Sequence, residues 1–287
     1  MKISAIVTAF ERVEQTLETL RIIQSCTPPP DEILVHVDAN RRDCEQAIRK
    51  AFPAVRVFLS EEQVGPGGGR NKLVEAAKFE FVASFDDDSY PIDADYFARA
   101  AKLFDQFLDA AVICAALYHG GEAIGLDERS AQWTADFSGG ACIYRRHAFL
   151  DAGGYVPLPV AYGMEEVDLA LRLHSRGGRI LTTRWLRVFH NTNLERHADP
   201  RVTAGSIATL ALLAYLRYPV TLWVVGMGQC VNRLLWLVRH GRRRGIFKGV
   251  TMIPAHLRAN HQYRLPVSTA AVRSYLALRR TPIAQSL

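Results

Sequence analysis

Three consecutive aspartates, Asp86, Asp87 and Asp88, end an apolar segment of the chain. Adjacent carboxylates repel one another, so such a cluster at the end of a buried strand is stabilised when a cation neutralises it. Mg²⁺ and Mn²⁺ prefer oxygen ligands and usually bind one or two carboxylates together with the phosphates of a substrate. A solvated acidic turn with a helix cap at Ser89 or Asp93 is the alternative. The apolar strand before the aspartates favours a cation site.

A second acidic group, Glu165 and Glu166, begins the segment EEVDLALRL, whose periodicity predicts a helix. The positive end of a helix dipole favours carboxylates in the first turn, and for one glutamate this is the simpler interpretation. Asp168 and Arg172 are four residues apart and can pair on the helix surface. Two adjacent glutamates favour a functional role, because a carboxylate beside a bound electrophile can deprotonate a hydroxyl.

The glycine-rich segment VGPGGGRN covers residues 64–71 and is predicted to be a loop that runs into a helix. Glycines let a backbone approach a ligand closely, and the first N–H groups of a helix bind phosphate. Arg70 can add a two-pronged contact to a diphosphate. An ordinary flexible turn is the alternative, because the segment matches neither the Walker motif nor the dinucleotide-binding motif.

Apolar, β-branched segments alternate with amphipathic helical segments through the first half of the chain. This alternation predicts an α/β fold, a Rossmann-like and mainly parallel central sheet flanked by helices. Ligands of such sheets lie beyond the carboxyl ends of the strands. Thr8, Asp38 and the aspartates 86–88 follow three of these ends, so we expect them to form one site.

Taken in order, the motifs between Lys2 and Asn193 resemble those of glycosyltransferase family 2, the inverting enzymes with a GT-A fold. VTAFER and VHVDAN resemble the strand ends that contact the nucleotide, and GPGGGRN resembles the G-x-G-x-A-R-N loop. FDDDSYP is similar to the D-x-D motif, SGGACIYRR to the acceptor-side segment, and GMEEVDLALRL to the E-D-x-D-L-x-x-R helix. His190 in VFHN, by itself more often a structural histidine, matches a late metal ligand of many GT-A enzymes.

This resemblance implies a metal-dependent transfer of a hexosyl or deoxyhexosyl group, with inversion, from a nucleoside-diphosphate sugar to an acceptor hydroxyl. Mn²⁺ or Mg²⁺ would be the cofactor, with Asp88 and His190 as its ligands. The family usually has Glu-Asp where this chain has Glu165–Glu166, so the base corresponds to Glu166, with Glu165 as the alternative. The implied nucleotide-sugar contacts are Thr8, Phe10, Arg12, Asp38, Gly67, Arg70, Asn71, Asp86 and Asp87.

Charge is distributed unevenly along the 287 residues. Residues 200–287 contain thirteen arginines and lysines and no acidic residue, whereas the rest of the chain has 22 basic and 29 acidic residues. Two charge-free runs of fifteen residues, 202–216 and 218–232, are shorter than the roughly 20 residues of a membrane-spanning helix. We therefore expect a GT-A domain at 1–198 and, at 199–287, amphipathic helices on an anionic membrane surface. A helical subdomain packed on the catalytic domain is the alternative.

Other sequence features concern the cellular context. Five cysteines lie far apart without a C-x-x-C pair, which argues against a zinc site or a disulfide framework and fits a reducing compartment. The first apolar segment is too short for a signal peptide. We expect a cytoplasmic protein on the inner face of the cell membrane that takes a UDP or dTDP sugar. Its acceptor would be a glycan or a lipid-linked molecule of a bacterial cell-surface polysaccharide.

Other function classes fit the sequence less well. A sugar-phosphate nucleotidyltransferase carries G-x-G-T-R in its first loop, which VTAFER lacks, and a haloacid-dehalogenase-type phosphatase has its D-x-D at the first strand. The basic segment has few aromatic residues among its arginines, so we expect no nucleic-acid partner. A catalytically inactive, nucleotide-binding scaffold at the membrane stays open, although the intact acidic set argues against it.

Overall fold

A computed structural model describes residues 1–158, 164–192 and 199–287, which contain ten strands and ten α-helices. The strands are β1 (Ile3–Ala9), β2 (Glu32–Val37), β3 (Arg56–Leu59), β4 (Phe81–Asp86), β5 (Ser89–Pro91), β6 (Ala110–His119), β7 (Ser130–Thr134), β8 (Ala141–Arg145), β9 (Arg179–His190) and β10 (Ile283–Ser286). The helices are α1 (Val13–Ser25), α2 (Arg42–Ala51), α3 (Gly65–Ala76), α4 (Tyr96–Gln106), α5 (Arg146–Asp151), α6 (Met164–Ser175), α7 (Pro200–Arg217), α8 (Trp223–Arg239), α9 (Ile246–Ala259) and α10 (Thr269–Arg280). The strands form one sheet in the order β10-β7-β9-β6-β8-β4-β1-β2-β3, and β5 pairs with β9 outside this order.

Strands β1 to β4 form the parallel half of the sheet, in which β1 lies between β2 and β4. Thr8 is paired with Asp86 across β1 and β4, and Ala9 with Val37 across β1 and β2. Carboxyl ends of parallel neighbours meet at one edge of a sheet. The register therefore brings Thr8, Asp38 and Asp86 together, as the alternation of segments predicts.

The second half of the sheet is largely antiparallel, so the whole sheet is mixed rather than mainly parallel. β8 lies between β4 and β6 and is antiparallel to both, while β6 and β9 are parallel. The amino end of β8 consequently shares an edge with the carboxyl ends of β4, β6 and β9. Alternation along the sequence fixes the order of the elements but not the direction of each strand. The short strand β5 pairs with the end of β9 and places Ser89 opposite His190.

The sheet separates two apolar clusters. In β1, Ala5 and Val7 belong to the cluster covered by α1, α2 and α4, and Ile6 belongs to the cluster covered by α3 and α6. Strand side chains alternate between faces, so the apolar run of β1 buries both of them. Leu213 of α7 and Tyr275 of α10 complete the second cluster. The C-terminal helices thus pack on the same core as the sheet.

The predicted C-terminal helical region is present. α7 is mostly buried, whereas α8 exposes many apolar side chains, and β10 returns to the sheet as an antiparallel neighbour of β7. One segment of the described residues, Val220–Arg239, is long and apolar enough to cross a membrane by length and composition, and 17% of it is buried. The predicted domain boundary at residue 198 lies outside the described residues, so the division into two domains stays a prediction.

The glycine-rich segment forms the first turns of α3 and is not a loop before it, so this part of the prediction is wrong. A Cβ atom at Gly69 would lie 2.5 Å from Nδ1 of His36 on β2. One at Gly67 would lie 3.0 Å from Cβ of Tyr155. The helix can approach the sheet this closely only because these positions carry no side chain.

We expect Gly69→Ala to lower the free energy of unfolding by about 1–3 kcal/mol, because the added methyl group forces α3 away from β2. Gly205→Ala is the control, since this glycine of α7 has open space around it. There alanine should raise stability by roughly 0.5–1 kcal/mol through its better helix propensity. Denaturant unfolding followed by circular dichroism measures both changes. Equal midpoints for the wild type and Gly69→Ala would contradict the close packing.

Candidate active site

A cleft of about 150 Å³ opens at the sheet edge where β1, β2 and β4 end. Its lining includes the backbone and side chains of the first βα connection and the start of α3. Phe10 is exposed at the cleft and offers an aromatic face to a planar ring. Six of the nine predicted nucleotide-sugar contacts line this cleft: Thr8, Phe10, Arg12, Asp38, Asp86 and Asp87.

Asp88 and His190, the two predicted metal ligands, lie side by side. The pairing of β5 with β9 and a hydrogen bond of 2.8 Å from the Asn191 N–H to the Asp88 carbonyl join their two segments. Asp88 Oδ1 is 3.1 Å from His190 Nε2. Burial lowers the pKa of His190, but Asp88 and Asp86 outweigh it, so the pKa is raised. Burial alone would raise the pKa of Asp88, but His190 and Arg12 hold it below its ordinary value.

Arg12 bridges the aspartates from the side of the cleft. Its guanidinium group donates to Oδ1 of Asp87 and to Oδ2 of Asp88. Asp87 is buried, and burial raises its pKa to about 6, with a further contribution from Asp86 and Asp88 and in spite of Arg12. A predicted nucleotide contact thus serves as a counter-ion to the aspartate cluster in this structure.

The pair Asp88 and His190 fits a divalent cation that has few protein ligands. Oδ1 of Asp88 is buried, and within the described residues its contact with His190 Nε2 is an ion pair at 3.1 Å that lacks good hydrogen-bond geometry. Its distance to His190 Nε2 is close to the roughly 3 Å between adjacent ligands of an octahedral, Mg²⁺-sized ion. The described parts of the chain hold no group of three or more His, Cys, Asp or Glu side chains placed for a metal ion. Two ligands nevertheless suit Mg²⁺ or Mn²⁺, since these ions often leave positions to water and substrate phosphates.

Asp86 forms an ion pair with Arg70, which is only 2% exposed. The Arg70 guanidinium group donates to Asp86 Oδ1 and, at 3.1 Å, to Ser84 Oγ. On the other side, a Cβ atom at Gly140 would lie 2.1 Å from Asp86 Oδ2, so only glycine leaves room for this carboxylate. Arg70 was predicted to contact a diphosphate; its donors point to Asp86 and Ser84, and the predicted role stays a prediction.

Asp38 also makes several contacts within the protein. Its carboxylate accepts hydrogen bonds from the N–H groups of Ala39 at 3.0 Å and of Val64 and Gly65 at 2.9 Å each. The last two belong to the start of α3, where the helix dipole favours a negative charge. Asp38 therefore occupies helix N–H groups that the sequence assigns to a phosphate, while it still lines the cleft.

Three predicted contacts do not line the cleft, namely Arg70, described above, Gly67 and Asn71. The Asn71 side chain exchanges two hydrogen bonds with the backbone of Tyr155, at 2.9 Å from Nδ2 to the carbonyl and 2.8 Å from the N–H to Oδ1. Gly67 packs against the same tyrosine. Asn71 and Gly67 hold the segment after α5 against α3, and their contact with a donor stays a prediction.

Glu165 and Glu166 begin α6 and face the connection that precedes β8. A Cβ atom at Gly139 would lie 2.9 Å from Glu166 Oε1 and 3.1 Å from Cζ of Arg70. Oε2 of each glutamate is buried and has no hydrogen-bond partner among the described residues. Burial raises the pKa of Glu165 well above its ordinary value, and the charge of Glu166 adds to this. Burial also raises the pKa of Glu166, although Arg70 opposes it.

The pair of Asp168 and Arg172 forms as predicted, but its burial and its third member were not predicted. Asp168 and Arg172 form a buried ion pair, with Nη2 to Oδ2 at 2.6 Å, and not the surface pair that their spacing predicts. Arg217 of α7 joins them from 49 residues away. The lack of any acidic residue after Asp199 is the one sequence signal that points to a distant partner for the buried arginine.

A model of glycosyl transferase family 2 matches residues 4–148 of the chain. No curated protein matches the chain. The match ends before α6, so it includes the aspartate cluster and Gly139–Gly140 but neither the glutamate pair nor His190.

Solved structures share the fold at low sequence identity. GalNAc-T7 with UDP, GalNAc and Mn²⁺ has a TM-score of 0.61 at 14% identity, over 77% of this chain and 49% of that one. TarS from S. aureus has a TM-score of 0.55 at 17% identity, over 88% and 55%. The mannosyltransferase PcManGT from Pyrobaculum calidifontis, in complex with GDP-Man and Mn²⁺, has 0.61 at 14% identity, over 96% and 79%. The chain thus spans about half of the first two chains. Such likeness shows the fold alone, and it confirms the predicted GT-A type of α/β fold.

The raised pKa of Glu165 has a consequence for stability. Above the ordinary carboxyl pKa the unfolded chain loses a proton that the folded protein retains, so stability falls as pH rises through the folded-state pKa. We expect Glu165→Gln to melt at a higher temperature than the wild type at pH 8, with a difference that disappears near pH 4. Differential scanning calorimetry across this range tests the expectation. Glu62→Gln, at an exposed position, is the control. A difference in melting temperature that does not vary with pH would argue against it.

Proposed function

Because the chain belongs to glycosyltransferase family 2, we propose that it transfers a sugar from a nucleoside-diphosphate sugar to an acceptor hydroxyl, with inversion at the anomeric carbon. One observation carries the proposal. Asp88 with His190, and Glu166 with Glu165, converge on the same sheet edge beside the cleft of the predicted nucleotide contacts. A cation site, a nucleotide cleft and a buried carboxylate are the three parts that such a reaction requires.

We propose Asp88 and His190 as ligands of Mn²⁺ or Mg²⁺. When bound there, the divalent ion offsets the negative charge that develops on a departing nucleoside diphosphate. The buried Oδ1 of Asp88, which lies 3.1 Å from His190 Nε2, supports this assignment. Arg12 is partly exposed and stands between the aspartates and the cleft. A cation held by Asp88 would leave Asp87 as the partner of Arg12, and the Arg12 guanidinium group would then have a donor to offer to the diphosphate.

Glu166 is the proposed base that takes the proton from the acceptor hydroxyl. Its Oε1 faces Gly139, next to Asp86 and Arg70, whereas Glu165 is more deeply buried. A carboxyl whose pKa lies above its ordinary range is a stronger base once it is ionised. Attack from the side opposite the leaving group inverts the anomeric carbon. Glu165 remains the alternative base, with a role at the acceptor hydroxyl.

For the donor we propose a UDP or dTDP sugar with a hexosyl or deoxyhexosyl group. The nucleobase of the donor would lie near Phe10 and Asp38 in the cleft, and its diphosphate near Arg12 and Asp87. UDP and UDP-GlcNAc occur in structures of TarS, which has the same fold. The acceptor is proposed to be a glycan or a lipid-linked molecule of a cell-surface polysaccharide.

We also propose that residues 199–287 rest on the anionic, cytoplasmic face of the cell membrane. Eight apolar residues of α8 are exposed, and five of them recur at helical spacing, which gives one apolar stripe along the helix. Exposed basic side chains follow at the end of α8, before α9 and in the first turn of α9, where they can reach anionic headgroups. The stripe consists of Val224, Met227, Val231, Leu235 and Val238, and the basic residues are Arg239, Arg243, Arg244 and Lys248.

We expect Glu166→Gln to lower kcat by about 10²–10⁴-fold and to leave the affinity for UDP and Mn²⁺ nearly unchanged, because only proton removal is lost. In the wild type, kcat/KM should rise with pH along an acid limb set by the raised pKa of Glu166, and the variant should lack this limb. Glu165→Gln in the same assay separates the two candidate bases. Hydrolysis and transfer are measured with a panel of nucleotide sugars. Nucleotide binding without any transfer in the wild type would favour the inactive scaffold.

Asp88→Asn should strongly weaken the binding of UDP in the presence of Mn²⁺. The loss should exceed the about 10–100-fold that follows when a residue that only supports a metal ligand is removed. The reason is that the variant removes a direct ligand of the proposed cation. Titration calorimetry with and without Mn²⁺ measures the effect. Asp105→Asn, at an exposed position of α4, serves as the control. If Mn²⁺ strengthens UDP binding equally in the wild type and Asp88→Asn, the metal assignment fails.

A further inference from the structure

A buried cluster of three charges joins α6 to the C-terminal helices. Asp168 and Arg172 of α6 are each 5% exposed, and Arg217, the last residue of α7, is 3% exposed. Arg172 donates to Asp168 Oδ2 from Nε at 2.9 Å and from Nη2 at 2.6 Å. Arg217 donates to Oδ1 from Nε and to Oδ2 from Nη2 at 3.2 Å. Oδ2 of Asp168 thus accepts from arginines of two elements, whereas Oδ1 accepts from Arg217.

The remaining donors of the two arginines reach two further segments. Nη1 of Arg217 donates to the carbonyl groups of Tyr263 at 2.7 Å and of Leu265 at 3.4 Å. Arg172 donates to the carbonyl groups of Ala152 and Gly154, just before the Tyr155 segment that Asn71 holds. Asp168 is therefore the point where α6, α7, the segment after α9 and the segment after α5 meet.

This cluster lies directly behind the glutamate pair. Asp168 is three residues after Glu165, so the two side chains project from the same side of α6 in adjacent turns. Farther along the helix, His174 Nε2 is 2.9 Å from Ser274 Oγ of α10. The C-terminal region thus contacts α6 both near its acidic first turn and near its end.

We infer that Arg217 is a positioning residue, through which the C-terminal helices fix the place of the Glu165–Glu166 pair relative to the aspartate edge. The inference rests on the proposed function for its catalytic consequence. The aspartate edge belongs to the sheet, whereas the glutamates belong to a helix anchored by Arg217. Loss of this anchor should disturb the distance between the base and the donor without disturbing the donor site.

The charges of the cluster make the test practicable. Two arginines and one aspartate carry a net positive charge, so Arg217→Met leaves a neutral Asp168–Arg172 pair. Asp168→Asn instead leaves two buried arginines without a counter-ion, which is the costlier change. Arg217→Met should therefore fold, and Asp168→Asn should be the least stable of the variants. Arg217→Lys keeps the charge but cannot reproduce the fork of donors.

The experiment combines hydrogen exchange with kinetics on the full chain. In Arg217→Met we expect faster amide exchange in α6, unchanged exchange in β1 and β4, and a fall in kcat of about 10- to 100-fold. The KM for the donor and the affinity for UDP with Mn²⁺ should stay within about twofold. Arg217→Lys should recover part of kcat. Arg264→Met is the matched control, since its ring contacts with Tyr215 and Trp223 lie within the C-terminal region.

Different failures have different meanings. Unchanged exchange in α6 of Arg217→Met, or a parallel loss of kcat and UDP affinity with faster exchange throughout the chain, would overturn the positioning role. A similar loss of kcat in Arg264→Met would overturn it too, because the effect would not be specific to the link with α6. If the wild type transfers no sugar, the proposed function fails, while the exchange measurement still decides whether Arg217 holds α6.

Discussion

Repulsion among the carboxylates of Asp86, Asp87, Asp88, Glu165 and Glu166 governs the arrangement of the candidate active site. Three of them follow β4 and two begin α6, and burial removes much of the water that would screen them. Within the described residues the groups of opposite charge that pair with the three aspartates are the guanidinium groups of Arg12 and Arg70 and the imidazole of His190. The raised pKa values of Asp87, Glu165 and Glu166 show part of the cost, since a buried carboxyl can retain its proton instead of its charge. A divalent cation would add positive charge at this edge without protonation, which is why the acidic edge supports the proposed metal.

Close approach is the second requirement of this edge, and the glycines supply it. Arg70 reaches Asp86 as a buried side chain. Gly139 and Gly140 leave the space into which the carboxylates of Asp86 and Glu166 fit. α3 in turn brings Arg70 there because its first turns are nearly bare of side chains. The ion pair of Arg70 with Asp86 therefore depends on the glycines of α3 and of the connection before β8, because side chains at these positions would occupy the space that the charged groups need.

The sequence predicts those parts of the site that depend on local pattern. Strand ends with polar residues, the aspartate cluster and the acidic start of α6 all follow from periodicity and spacing, and the register of β1 with β4 joins them. The direction of β8 could not be predicted, because an alternating pattern does not distinguish parallel from antiparallel neighbours. The role of Arg70 was equally out of reach, since a fork of donors suits a diphosphate and a buried aspartate alike. Asp168 shows the limit most clearly: a spacing of four predicts its pair with Arg172, but burial depends on Arg217, which only the folded chain brings near.

Donor and base are held by different parts of the molecule. The aspartates and Thr8 belong to adjacent strands whose register is fixed by backbone hydrogen bonds, so the donor side is as rigid as the sheet. The glutamates belong to a helix whose described anchors are a buried ion cluster and the C-terminal helices. In the proposed reaction, donor affinity therefore depends on the sheet, whereas turnover depends on how the C-terminal region places α6. If the C-terminal region rests on the membrane and also anchors α6, the membrane surface would position both the acceptor hydroxyl and the glutamate that deprotonates it.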